Sequence, residues 1–490
     1  MDGIMQFHAG KNFIEYGAYE GWASNYWPPL YGILLNFGDD PFLTGKIISL
    51  LAAIITLFSI YLVANFFLNN KQDSLIVLTL VSSSYLFYET FKAVENHALE
   101  ISFFFLSYYF FLTANKSKNL TLFLIAGALI GFASLSRYTA YSFVISYIIF
   151  LFFQNQRDKY ISSSYFLVGF ILICLPWWVL NTYQNGSPLH TWQFLNVAIG
   201  IWGIGFTESI PKFNSLIDII SNYPLEFIIN FFENILYGLK IIVSSLFSYS
   251  QTGVSRMYAY LSIAFLIFFL VLMIYKKKLK NFIKYISLPT IIVIIFLLVT
   301  SLAFNFRHAL APAAFLFSTA IFIFYIKWFE KYKFVLLLIL AFNTSVNYSN
   351  SIEFSNNFAR DEGGQLSDLD EIMKIIDIKK GTNMVVGSWN PAPAFYTNLS
   401  WVTNPFIPDG DFCKLIDTNL KSEILAFMPY FPLYIDSYKK DFLYLTRHDY
   451  FVNQDLIKEN LLLKSTECKN YEIILLFQSN QSSLYQIIRP

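Results

Sequence analysis

The stretch LTGKIISLLAAIITLFSIYLVANFFL, residues 43–68, decides the fold class of this chain. Lys46 is its only charged residue, and the stretch exceeds the roughly 20 apolar residues that carry a helix across the ~30 Å hydrocarbon core of a bilayer. Eight further runs are almost free of charge: 98–112, 120–135, 138–153, 165–180, 257–275, 283–302, 309–326 and 334–342. We therefore predict a polytopic α-helical membrane protein that crosses the bilayer about ten times.

The overall composition agrees with this prediction. Charged residues make up 14% of the chain and hydrophobic residues 56%, whereas soluble domains carry roughly 25% charged residues. The net charge of +1 gives no support to nucleic acid or an acidic protein as a partner. The three cysteines show no metal-binding spacing, and a Cys413–Cys468 disulfide stays open, since it requires that the tail lie outside the cell.

The distribution of basic residues between the runs predicts the orientation. Thirteen Lys and Arg residues lie in short loops around positions 71, 116–118, 157–159, 276–284 and 327–333, whereas the alternate, longer connections carry six. Cytoplasmic loops carry the excess of Lys and Arg, so the first set is expected in the cytoplasm. Residues 1–42, the turn at 136–137, the loop 181–256 and everything after about 347 are then extracytoplasmic.

Three regions follow from this topology: an outer first loop with amphipathic helices (1–42), a membrane domain (43–346) and a C-terminal domain (347–490). Within the membrane domain, residues 232–249 are moderately apolar but contain Glu233 and Lys240. We interpret this segment as an interfacial amphipathic helix, because a further span would move the lysine-rich loop 276–284 outside.

The C-terminal region differs in composition, because charged residues return there. Short β-rich runs at 384–387, 442–445 and 473–477 are combined with a helical pattern at 366–378. We predict a small extracytoplasmic α/β domain.

Two groups of polar residues are candidates for chemistry, and both lie at outer helix ends. The first is acidic and comprises Glu95, His97 and Glu100; ionisable residues near membrane depth are functional candidates, although exposure to headgroup water is the alternative. The second is basic and comprises Arg137 and Arg307-His308. The donor fork of arginine suits a lipid phosphate, whereas interfacial anchoring is the commoner role of an arginine at such a place.

Several short motifs occur along the chain in a fixed order. They are an acidic residue opening the first helix (Asp2), Gly17-Ala18-Tyr19, Trp27-Pro28-Pro29-Leu30-Tyr31, Gly131–Tyr138, Pro176-Trp177-Trp178 with Asn181, Gly186-Ser187-Pro188-Leu189, Arg307-His308 with Pro312, and Val385-Val386-Gly387 with Pro393 and Tyr396-Thr397. Together they resemble the GT-C glycosyltransferases related to the protein O-mannosyltransferases and to the aminoarabinose transferase of lipid A. The resemblance covers nearly the whole chain. Family members have a transmembrane helix before the first loop, whereas this chain starts at Met1-Asp2, so we expect a misplaced start or a missing helix.

The resemblance implies roles for the candidate residues. Asp2 maps onto the catalytic base, with a plain helix N-cap as the alternative. Glu95 fits the second acidic position, with Glu100 as its rival, and a divalent metal bridging Asp2 and Glu95 with His97 as a further ligand is conceivable. The lipid phosphate of the donor would be bound by Arg137, Tyr138, Arg307 and His308.

The function implied is an inverting transfer of a sugar from a polyprenyl-phosphate carrier to an extracytoplasmic protein, lipid or glycan, in the inner membrane. A transporter or flippase of a lipid-linked glycan is the runner-up, but it requires charged residues at mid-membrane and broken helices. A structural membrane protein is the third interpretation, under which none of these polar residues matters.

Overall fold

The computed structural model describes residues 2–17, 19, 27–38, 40–92, 95–153, 158–194, 196–197, 201, 215–246, 255–275, 277–302, 310–329, 331, 333–345, 371, 374, 385–388, 400–402, 424–427, 472–478 and 483–488. By contacts between residues the chain divides into two compact units. One comprises Asp2–Phe194 and Leu225–Asn350, and the other comprises Leu195–Pro224 and Ser351–Pro490.

The described helices of the chain are α1 (Asp2–Tyr16), α2 (Leu30–Leu35), α3 (Pro41–Leu68), α4 (Lys71–Ser82), α5 (Tyr85–Lys92), α6 (His97–Ser117), α7 (Leu120–Ser136), α8 (Tyr141–Phe153), α9 (Lys159–Asn185), α10 (Leu216–Asn222), α11 (Pro224–Ser244), α12 (Ser255–Tyr275), α13 (Leu279–Ser301), α14 (Ala311–Trp328) and α15 (Lys333–Ser345). Five of them, namely α3, α6, α9, α11 and α14, are long and apolar enough to cross a membrane. Shorter apolar segments, at 120–136, 138–153, 260–275, 286–301 and 333–345, accompany them.

Helix α3 shows how the chain sets these boundaries. The Asp40 side chain accepts hydrogen bonds from the backbone N–H groups of Phe42 and Leu43 at 2.8 and 3.1 Å, and Pro41 follows at the first helical position. The helix ends where Asn69 takes the left-handed conformation, with φ of 51°. The decisive stretch thus forms one continuous helix.

Helices α7 and α9 pack closely through glycines. A Cβ atom on Gly127 would overlap the carbonyl oxygen of Phe166, and one on Gly169 would overlap that of Leu124. Missing side chains at facing positions let two backbones approach, as is common between helices in membranes. This contact fixes α7, whose C-terminal end carries Arg137.

The ends of α3 and α14 meet at one end of the bundle. The Lys327 ammonium donates to the carbonyl oxygen of Phe67 at 2.9 Å. Lys333, at the start of α15, pairs with Asp73 of α4 at 2.6 Å. The connection from α3 to α4 and the connection after α14 therefore share one end, as the positive-inside pattern predicts.

Two further basic connections reach the same end. The Lys116 ammonium lies 5.1 Å from the ring centroid of Phe66, in the last turn of α3. Lys118, just after α6, interacts electrostatically with Asp158 at the start of α9. The basic loops around 71, 116–118, 157–159 and 327–333 thus gather at one end of the bundle, and the assignment of that end to the cytoplasm stays a prediction.

Helix α11 differs from the predicted segment 232–249. It begins at Pro224 and ends at Ser244. Proline suits the first position of a helix, which accounts for the start at Pro224. Its apolar side chains Leu225 and Leu236 are exposed, whereas Asn230 and Asn234 are buried. By length and composition α11 can cross a membrane, and its interfacial placement stays a prediction.

The C-terminal region contains five described strands: β1 (Val385–Ser388), β2 (Ser400–Val402), β3 (Ile424–Phe427), β4 (Glu472–Gln478) and β5 (Ser483–Ile488). They form one mixed sheet in the order β2-β1-β3-β5-β4. The strand β1 is parallel to β2 and β3, whereas β5 is antiparallel to β3 and β4. The predicted runs at 384–387 and 473–477 fall on β1 and β4, and the run at 442–445 lies outside the described residues.

Candidate active site

The candidate site forms where α7 ends and α6 begins. Arg137 follows the last residue of α7 with an extended backbone, and its N–H group donates to the carbonyl oxygen of Ala133 at 2.9 Å. From the start of α6, the Asn96 amide donates to the carbonyl oxygen of Ser136 at 3.0 Å. This bond ties the two helix ends together, and it holds Arg137 against the first turn of α6.

Glu100 is the buried counter-ion of Arg137. The arginine Nε lies 3.4 Å from the glutamate Oε2, and the two side chains are 15% and 0% exposed. The other carboxylate oxygen accepts a hydrogen bond from the hydroxyl of Thr139. A charge buried to this extent requires a partner of opposite sign, because an unpaired one is strongly disfavoured. Glu100 therefore serves the arginine rather than the outer surface.

His97 and Glu95 extend the cluster outward. One terminal nitrogen of the arginine, Nη1, lies 2.5 Å from Nε2 and 2.9 Å from Nδ1 of His97, and 3.4 Å from the amide oxygen of Asn96. The same Nε2 of His97 is 3.5 Å from the Glu95 carboxylate, whose side chain is 37% exposed. Carboxylate, imidazole, guanidinium and carboxylate thus alternate, and Glu95 is the accessible acid of the group.

The Glu100 carboxylate already has a cationic partner. A guanidinium already occupies that carboxylate and also contacts His97, so a divalent cation there would meet a like charge. Among the described residues, no group of three or more His, Cys, Asp or Glu side chains is arranged to hold a metal. A metal bridging Asp2 and Glu95 stays a prediction, because the Asp2 side chain lies outside the described residues.

An aromatic series follows directly after the arginine. The rings of Tyr138 and Tyr141 are stacked, with centroids 6.1 Å apart and an interplanar angle of 12°. The Tyr141 hydroxyl accepts a hydrogen bond from the indole N–H of Trp178 at 2.9 Å. Tyr138, predicted as a donor-binding residue, is thereby linked to the Pro176-Trp177-Trp178 motif.

The first loop also reaches the cluster. Burial first, and then the neighbouring Glu95 carboxylate, raise the pKa of Tyr31, which lies in α2. Helix α1 packs on α2 so tightly that a Cβ atom on Gly10 would overlap the carbonyl oxygen of Gly32. The helix that begins at Asp2 therefore packs on the helix whose Tyr31 interacts electrostatically with Glu95.

The structure thus brings together four of the predicted residues: Glu95, His97, Glu100 and Arg137, with Tyr138 adjacent in the chain. Arg307 and His308 lie outside the described residues, and of Asp2 only the helical backbone is described. Sequence reasoning missed Asn96 and Thr139. Their polar side chains beside Glu95 and Arg137 were a signal, but small polar residues near helix ends are too common to single out.

A family model matches the part of the chain that contains the cluster. Residues 31–180 match the family model described as "Dolichyl-phosphate-mannose-protein mannosyltransferase". This segment contains Glu95, His97, Glu100 and Arg137. No curated protein matches the chain significantly.

Two solved structures of ArnT from Cupriavidus metallidurans are similar to this chain. The structure bound to undecaprenyl phosphate superposes with a TM-score of 0.55 at 9% sequence identity, over 99% of this chain and 93% of that protein. The apo structure gives a TM-score of 0.45 at 12% identity, over 99% and 92%. The first match shows that this chain has the ArnT fold. The resemblance to the GT-C enzymes, inferred from the motifs, is confirmed by the family model and by this shared fold.

Proposed function

We propose that this chain is a membrane glycosyltransferase that transfers a sugar from a polyprenyl-phosphate carrier to an acceptor hydroxyl. The observation that carries the proposal is Arg137, which is held at the end of α7 by a fully buried carboxylate. Two of its nitrogens are engaged within the cluster, and a guanidinium offers five N–H donors. A phosphate oxygen is the acceptor that such a fork suits.

The reaction class follows from the proposed substrate. The acceptor oxygen attacks the anomeric carbon, while the bond from that carbon to the phosphate oxygen breaks and the phosphate keeps the electron pair. The proton of the acceptor hydroxyl passes to a carboxylate, for which we propose Asp2 as general base. Arg137 stabilises the negative charge that the departing phosphate gains, and attack opposite the leaving group inverts the anomeric configuration.

The remaining residues have supporting roles in this proposal. Glu95, the accessible carboxylate, orients the acceptor or holds a divalent metal with Asp2; such a metal would supply charge for the departing phosphate. Tyr138, Arg307 and His308 complete the donor site. For Glu100 we propose the role of positioning Arg137, because its two oxygens face Arg137 and Thr139.

The location proposed for the site is the outer leaflet of the inner membrane. The lysine-rich end of the bundle faces the cytoplasm in this scheme, so the site at the opposite end and the C-terminal α/β domain face outward. The described charges support the enzyme over a transporter. A transporter places its charged residues at the bilayer midplane, whereas Glu95, His97 and Arg137 lie at helix ends.

Donor specificity tests the proposed function. The full-length protein, reconstituted into liposomes, is supplied with a radiolabelled sugar on undecaprenyl phosphate or on a nucleoside diphosphate, together with envelope extract as acceptor. We expect transfer from the lipid-linked sugar alone, and a rise in KM for this donor in Arg137→Ala. Equal transfer from the nucleotide sugar, or vectorial movement of the lipid-linked sugar without transfer, would overturn the proposal.

A further inference from the structure

Thr139 fixes the rotation of the carboxylate that faces the arginine. Its hydroxyl donates to Oε1 of Glu100 at 2.5 Å, whereas Oε2 of the same carboxylate lies 3.4 Å from Nε of Arg137. Neither Oε2 nor Nε has a hydrogen-bond partner among the described residues, so their contact is an ion pair without hydrogen-bond geometry. Such an ion pair does not determine how the carboxylate is rotated. The directional contact is the hydrogen bond from Thr139.

The two side chains that contact Glu100 belong to one turn of backbone. Thr139 lies two residues after Arg137, in the single 3-10 helical turn that follows α7. The N–H group of Ala140 donates to the carbonyl oxygen of Arg137 at 3.2 Å, and the Ser142 hydroxyl donates to the carbonyl oxygen of Thr139 at 2.7 Å. These bonds stabilise the backbone that presents the hydroxyl and the guanidinium to the carboxylate.

The orientation of the carboxylate determines where the guanidinium points. A guanidinium is planar and carries its five N–H groups in a rigid fork, so fixing two of its nitrogens also fixes the third. In Arg137, Nε faces Glu100 and Nη1 contacts His97 and Asn96. Nη2 makes no hydrogen bond to the residues that the structure describes. It is therefore the nitrogen left to donate to a ligand, and its direction depends on Glu100.

We propose that Thr139 is a positioning residue for the lipid phosphate: by fixing Glu100, it directs Nη2 of Arg137 toward the phosphate oxygen. The inference rests on the proposed function and deepens it, because it names the side chain that orients the proposed phosphate-binding group. An arginine already held in its binding orientation loses less side-chain entropy when the phosphate arrives, so positioning increases affinity. Without the hydroxyl, the carboxylate is free to rotate and the guanidinium follows it.

The affinity for undecaprenyl phosphate tests this role. Its dissociation constant is measured by native mass spectrometry, which reads the folded protein alone, for the full-length wild type, Thr139→Val and Thr139→Ser. Valine has nearly the shape of threonine but no hydroxyl, and we expect it to weaken binding about 2- to 10-fold, as for the loss of one hydrogen bond. Serine keeps the hydroxyl and is expected to bind like wild type. If Thr139→Val does not fold, Thr139→Ala, which leaves room for a water molecule beside Glu100, takes its place.

Thr113→Val is the matched control. Thr113 lies in α6, the helix that carries Glu100, and its hydroxyl donates to the carbonyl oxygen of Tyr109 at 2.9 Å. Position 113 is about 20 Å along this helix from position 100, so the same chemical change is made far from the cluster. We expect wild-type affinity for undecaprenyl phosphate.

An Arg137→Lys background shows whether Thr139 acts through the arginine. The lysine ammonium keeps the positive charge but has no planar fork to orient. We therefore expect Thr139→Val to leave the dissociation constant unchanged in this background. A side chain that contacted the phosphate directly would weaken binding in both backgrounds.

The outcomes separate this inference from the function on which it rests. If wild type does not bind undecaprenyl phosphate, the proposed function fails and the positioning role fails with it. If wild type binds the lipid and Thr139→Val binds it equally well, the positioning role alone is refuted. An undiminished effect of Thr139→Val in the Arg137→Lys background, or an equal loss of affinity in Thr113→Val, also refutes the positioning role and leaves the proposed function standing.

Discussion

Removing the buried carboxylate of Glu100 tests the core of the site most severely. In Glu100→Leu, Arg137 keeps its contacts to His97 and Asn96 but loses its counter-ion, and only 15% of its side chain is exposed. Loss of one partner of a buried pair costs about 3–5 kcal/mol. The partial exposure of the arginine leads us to expect the lower end, about 3 kcal/mol. Arg137→Leu leaves a fully buried carboxylate with the Thr139 hydroxyl and is expected to cost at least as much.

The double variant Glu100→Leu/Arg137→Leu is expected to recover most of this loss, because a buried pair replaced by apolar residues is often neutral or stabilising. The free energy of unfolding of each variant is measured in mixed micelles at rising SDS fraction, with tryptophan fluorescence as the signal. The control is the same set of single and double leucine substitutions at Asp73 and Lys333, whose ion pair is less deeply buried. There we expect a coupling free energy between the two residues of about 1 kcal/mol or less. Additive losses in the Glu100/Arg137 cycle would refute the reasoning.

Two further results are expected. Gly169→Ala should destabilise the protein by about 1–3 kcal/mol, because the new Cβ atom would overlap the carbonyl oxygen of Leu124. At a helix position without such a neighbour, the same change would stabilise by about 1 kcal/mol. A lowered midpoint of thermal unfolding therefore supports the close packing of α7 on α9, and a raised midpoint contradicts it. In a cysteine-free background, a membrane-impermeant maleimide added to intact cells should label Leu189→Cys and spare Ser117→Cys, and the reverse pattern would invert the proposed orientation.

The membrane helices were predictable from sequence because length and charge-free composition are local properties. The stretch 43–68 lies within α3, and the basic loops around 71 and 327–333 meet at one end of the bundle, as the basic residues predicted. The exact start and end of each helix were harder to predict from the sequence. The chain breaks between α4 and α5 at Ser83-Ser84, and α11 starts eight residues before the predicted segment, since polar positions inside an apolar run do not reveal where a helix begins.

The candidate site was predictable as a set of residues but not as an arrangement. Glu95, His97, Glu100 and Arg137 attracted attention as ionisable groups at outer helix ends. Their roles depend on contacts across about forty positions of chain, such as the one between Thr139 and Glu100. No local pattern distinguishes a carboxylate that faces a guanidinium from one that faces water. The contact between Glu100 and Arg137 therefore emerges only from the packing of α6 on α7.

The rate of sugar transfer by the Asp2→Asn variant tests most directly the central claim, that Asp2 is the general base of a glycosyl transfer. The variant keeps the shape of the side chain, but it no longer accepts a proton. With labelled undecaprenyl-phosphate sugar under single-turnover conditions, we expect transfer to fall about 10²–10⁴-fold, as for loss of a general base. Donor binding and thermal stability should match wild type. Transfer at the wild-type rate, or a loss that follows unfolding, would contradict the assignment of Asp2 as the base of a glycosyl transfer.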